Sequence, residues 1–273
     1  MSPKRPLPEV PRLLLGVSSL DQPVRTTRDR QLEVASRFKE PESLAVALVK
    51  GVAAGAQGVI APPTLDVREA LAELNKDLPI FARVAHTSRA GKRAGNAALN
   101  LLPMSLAGDL ASRVLPRMER EVALFNPKAV RGIAVAAGAT DLALAANQPR
   151  FFERVVRFAH QRRWLVGFET RNLGHLLTRF ASWNAPYAAP DFVIGPVNPR
   201  GVGMTPNAER TLAEIKTSKL KVIACELRAG GLVPLDEGAA YARRHGAWGV
   251  CPELVEMDDV PKELKALAPV MAA

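Results

Sequence analysis

Both cysteines of the chain lie in one stretch, "KVIACELRAGGLVPLDEGAAYARRHGAWGVCPEL" (residues 221–254), and each is closely followed by a glutamate: Cys225-Glu226 and Cys251-Pro252-Glu253. Thiols beside carboxylates could ligate a metal or form a nucleophile with its base. Their spacing matches no usual zinc pattern, and no HxH or HExxH spacing occurs anywhere, so neither a metal site nor a cofactor is expected. The diglycine Gly230-Gly231 between them offers bare backbone amides of the kind that hold anions. With two cysteines in 273 residues there is no disulfide framework, which points to free thiols in a reducing cytoplasm.

What these residues can do depends on the elements that carry them. Short apolar runs alternate with longer amphipathic stretches, which is the pattern of βα units. Eight runs qualify as strands: residues 12–17, 58–62, 79–84, 131–136, 164–168, 191–196, 220–225 and 247–251. Helix starts are expected at Asp66, Asn172, Thr205-Pro206 and Pro234. Eight such units fit a single (β/α)8 TIM barrel with a long first βα loop, over residues 12–273, behind an extended N-terminal leader at 1–11. An open doubly wound sheet would need a glycine-rich dinucleotide loop after strand 1. The chain has "SSLDQPVRTTRDRQ" there instead.

In a barrel of this kind, function sits on the loops that follow the strands. The first loop, some two dozen residues long, reads as a lid or substrate loop and supplies Arg28 and Asp29. The third brings His86, the only histidine that follows a strand end, and the fourth gives Thr140 and Asp141. His160, His175 and His245 fall in or at the ends of outer helices, where packing and surface roles are commoner. Strand 5 ends "GFETRN". Strand alternation puts Leu165, Gly167 and Glu169 on one face, so Glu169 is expected to point into the barrel mouth, as a general base or as the partner of a lid arginine. After strand 6, Asn198 can hold a carbonyl or hydroxyl and Arg200 an anion. Gly230 and Gly231 form half of an anion site after strand 7. The acidic "CPELVEMDD" after strand 8 replaces the glycine-rich turn that would complete it. No GxSxG elbow exists, and Lys221 sits at the wrong end of its strand for a Schiff base.

A formal net charge of +10 suggests an acidic partner. The basic residues are scattered, however, and aromatics make up only 5%, which leaves few stacking platforms. Nucleic acid is therefore not the expected partner, and a small anionic metabolite is preferred. Apolar runs are interrupted well before the ~20 residues of a membrane span, so no membrane partner is expected.

The order of "LLLGVSS", "RTTRDRQ", "EPESLAVALVKGVAAGAQGV", "GFETRN", "DFVIGPVNPRG" and "ACELRAGGLVPLDEGAAYARRHGAWGV" resembles that of an uncharacterised bacterial family of aldolase-type barrels. The resemblance implies the barrel fold. It departs where that family tends to carry a lysine on strand 7 (Cys225 here), a histidine after strand 5 (Arg171 here) and a histidine before Arg28-Asp29. The expected function is a cytoplasmic lyase or isomerase with Glu169 and His86 as acid-base groups and arginines as the anion clamp. The alternatives are a catalytically degenerate barrel, serving as a scaffold subunit in a homo-oligomer or with another protein, and a basic nucleic-acid-associated protein.

Overall fold

The structure, a computed structural model, describes residues 7–17, 28–38, 40–72, 78–85, 109–183 and 189–272. The strands are β1 (Leu14–Gly16), β2 (Gly58–Ala61), β3 (Ile80–Val84), β4 (Val130–Val135), β5 (Leu165–Glu169), β6 (Phe192–Pro196), β7 (Lys221–Cys225) and β8 (Gly249–Val250). They pair in parallel in chain order. Parallel bridges from Leu13 to Val250 and from Gly16 to Glu253 close the sheet. The Gly16 amide donates to the Pro252 carbonyl (2.9 Å) and the Val250 amide to the Arg12 carbonyl (2.8 Å). The result is the expected TIM barrel.

Helices α1 (Arg28–Arg37), α2 (Pro41–Ala53), α3 (Leu65–Ala72), α4 (Leu110–Val122), α5 (Ala137–Ala145), α6 (Pro149–Gln161), α7 (Leu173–Ser182), α8 (Ala208–Thr217), α9 (Leu235–Arg244) and α10 (Val260–Ala272) run between and after the strands. Two of them occupy segments expected to be loop. Helix α1 forms inside the first connection, with Asp29 in its first turn and Arg37 in its last, which complements the helix dipole. Helix α5 holds Thr140 and Asp141 in an alanine-rich run of high helix propensity. Asn172 precedes α7 without a side-chain cap, whereas α8 is capped by Asn207, which accepts from the Arg210 amide at 2.8 Å. No helix among the described residues is long and apolar enough to cross a membrane.

Strand alternation sorts the apolar residues into two cores. One lies between strands and helices and includes Leu15, Leu48, Val166, Phe152 and Leu264. The other fills the barrel and includes Leu14, Phe81, Leu165, Phe192 and Ile223. Phe81 and Phe192 meet edge-on across the axis, with ring centroids 5.9 Å apart. Glycines make room for them. A Cβ on Gly167 would lie 2.0 Å from the Phe192 ring, and one on Gly132 would lie 2.8 Å from Phe81. Below the phenylalanines Val10, near the end of the expected leader, is buried in the same interior cluster.

Candidate active site at the barrel mouth

Strand β3 turns Phe81 inward, and two residues later it does the same with Arg83, which is 2% exposed. The Arg83 Nε donates to Glu169 Oε2 across the barrel at 2.8 Å. Glu169 ends β5 and faces the open end, with its side chain 22% exposed. The amide of Ala137, the first residue of α5, donates to the same oxygen at 3.3 Å. A guanidinium and a helix N-terminus thus converge on one carboxylate oxygen, and both favour negative charge there.

Helix α5 also secures the chain on the far side of Glu169. The Thr170 hydroxyl and the Arg171 amide both donate to the Asp141 carboxylate, and the Asn172 amide donates to Thr170 Oγ1 at 2.9 Å. Burial raises the pKa of Asp141, and the hydrogen bonds from Thr170 and Arg171 oppose the rise. The residue before α7 and the strand end carrying Glu169 are therefore tied to one short helix.

The β7–β8 side of the mouth carries the thiols and the remaining carboxylates. Cys225 and Cys251 are unpaired; Cys225 ends β7 and Cys251 directly follows its neighbour β8. Burial pushes both thiols well above their usual range. Glu226 and Glu169 add to the shift of Cys225, and Glu253 and Glu169 add to that of Cys251. Cys251 is buried in the interior cluster and Cys225 packs against it. Glu253 lies against Gly16, where an added Cβ would come 2.4 Å from its Oε1. Glu256 is pushed up to about 8, by burial first and then by Glu253 and Glu226, with Arg228 opposing. Among the described residues no three His, Cys, Asp or Glu side chains are arranged to hold a metal ion.

The expected site residues divide accordingly. Glu169 points into the mouth, and its arginine among the described residues is Arg83 of β3. Asn198 is fully buried and spends its amide within its own loop, donating to the Val202 carbonyl (2.9 Å) and accepting from the Val202 amide (3.0 Å). Arg200, two residues on, is exposed. Gly230 and Gly231 take positive φ (76° and 94°), as a tight turn requires. The Gly231 amide is used inside that turn, donating to the Arg228 carbonyl at 2.9 Å. Asp29 is exposed on α1; Arg28 begins that helix, and its side chain lies outside the described residues, as does His86. Sequence reasoning missed Arg83. The signal was present, because the alternation that turns Phe81 inward turns the only charged residue of "IFARV" inward too.

No protein-family model and no curated protein sequence matches the chain. Among solved structures, a Pseudomonas aeruginosa protein assigned provisionally as an aldo-keto reductase is 12% identical, covers 98% of this chain and 94% of its own, and superposes with a TM-score of 0.57. An aldolase designated QR15 is also 12% identical, with 93% and 94% covered and a TM-score of 0.51. At this identity the likeness defines the class of the chain by fold, a TIM barrel matched over nearly its whole length.

Proposed function

We propose that the chain is an enzyme of lyase or isomerase type that moves a proton on a small anionic metabolite at the C-terminal mouth, with Glu169 as the acid-base group. One observation carries this reading: the Arg83–Glu169 pair set at the open end of an otherwise apolar barrel. Burying a guanidinium is costly, and an apolar pair of similar volume would stabilise the barrel as well or better. A charged pair at the C-terminal end of two strands is placed where barrels of this fold do chemistry.

Glu169 removes or returns a proton on a carbon beside a carbonyl, and Arg83 and the Ala137 amide fix which oxygen is presented. The anionic end of the substrate lies away from β7 and β8, because the Glu226 and Glu253 carboxylates repel it there. It is held on the side of the first, third and sixth connections, which contain Arg28, His86 and Arg200. His86 supplies the second acid-base group. The unpaired thiols fit a reducing compartment such as the cytoplasm.

Proton exchange provides the test. The protein in D2O is incubated with three-carbon carbonyl anions, pyruvate and dihydroxyacetone phosphate, and with longer 2-oxo acids, and deuterium uptake beside the carbonyl is followed by NMR. Wild type should accelerate uptake on at least one of them, and E169Q should lose about 100-fold or more of that rate. An E169Q rate equal to wild type, or no acceleration across the whole set, overturns the assignment.

A further inference from the structure

We infer that the opposite, N-terminal face of the barrel carries a binding site for a small phosphate-type anion, built from Arg12, Lys221 and Arg243 around Trp248. Arg12 precedes β1, Lys221 opens β7, Trp248 precedes β8 and Arg243 lies in the last turn of α9, so parallel strand order brings all four to one face. The Arg12 guanidinium lies 4.6 Å from the indole centroid and the Lys221 ammonium 4.1 Å. Arg12 Nη1 donates to the Met271 carbonyl at 3.3 Å, and Arg243 Nη1 donates to the carbonyls of Ala247 and Trp248.

Gly249 accounts for the crowding. A Cβ there would sit 2.5 Å from the Arg12 carbonyl oxygen, so its absence lets β8 close against the residue that starts β1. The indole N–H is already used, donating to the Val10 carbonyl at 3.1 Å.

Packing alone would account for one cation stacked on the ring. It does not account for two half-buried cations on one indole and a third bonded to the carbonyl of the same residue, none in an ion pair with a carboxylate among the described residues. The Nε of Arg243 is buried without a hydrogen-bond partner, and Arg12 is near enough to repel its charge. A doubly charged oxyanion supplies what this arrangement lacks: acceptors for the remaining guanidinium N–H groups and opposite charge for all three. The two cations over the indole leave it a poor stacking face for a base, which favours a small phosphate over RNA.

The test uses the full chain at constant ionic strength, titrated with inorganic phosphate while the Trp248 indole N–H resonance, assigned from W248F, is followed by heteronuclear NMR. A saturable shift in the millimolar range or tighter is expected, absent with chloride, with apparent affinity falling at least tenfold in R12Q/K221M. Folding of that variant is checked by its unperturbed Trp164 and Trp183 indole signals. No indole shift in wild type, an equal shift with chloride, or an unchanged affinity in the folded double variant overturns the site. A response to single-stranded RNA but not to phosphate overturns its small-ligand assignment.

Discussion

At the scale of single residues, the Arg83–Glu169 pair separates stability from function. Glu169→Ala leaves the buried Arg83 without its carboxylate, and we expect a loss of about 3 kcal/mol in urea unfolding. Replacing both, as R83M/E169M, should restore most of that stability while abolishing the proton-exchange activity. A purely structural pair would show no such split. Glu256 gives a pH signature. Its carboxyl ordinarily titrates near 4.5, and the fold raises it to about 8. Between those values the folded state binds the extra proton, so the stability this group contributes is full at low pH and lost as pH rises toward 8. Its Oε2 is buried and accepts no hydrogen bond among the described residues. Glu256→Gln should therefore flatten stability between pH 5 and 8 and raise the melting temperature at pH 8; an unchanged pH profile would count against the assignment.

At the scale of elements, the interior depends on aromatic rings facing glycines across neighbouring strands. Gly167→Ala puts a methyl group into the Phe192 ring, and the overpacking should cost about 2 kcal/mol. The companion G167A/F192L should recover part of it, measured by chemical denaturation. All eight strands were legible in the sequence, because each is a short apolar run bounded by turn residues. Helices α1 and α5 were not: α1 is too polar to show an apolar face, and α5 is alanine-rich with little contrast between its faces. The orientation of Glu169 was legible, because a carboxylate that ends an inward face is costly to bury and must reach the open mouth. Arg83 also faces inward on β3, but it stays buried against Glu169, and its run reads as plain core. Asn198 pointed the other way. Its amide could have met a substrate, but the loop from Asn198 to Val202 needs both of its polar ends, a constraint that residue type alone does not reveal.

At the scale of the whole molecule, the two ends of the barrel differ in chemistry. The mouth carries one arginine–glutamate pair beside a carboxylate-rich rim, and the opposite face gathers cations around Trp248. Phe81 and Phe192 fill the axis between them, so occupancy at one end has no open path to the other. E169Q should accordingly leave the phosphate response of the Trp248 indole within twofold of wild type. A larger change would mean that the barrel transmits between its faces.

Closure of the sheet has a further consequence, for synthesis. β1 gains its second neighbour only when the chain near Val250 and Glu253 arrives, after all the other strands. Until then its edge stays open on the growing polypeptide, a template for pairing with another nascent chain. β1 spans three residues and β8 two. The seam made last among the strands thus joins two short ones, which limits the backbone left exposed until β8 arrives.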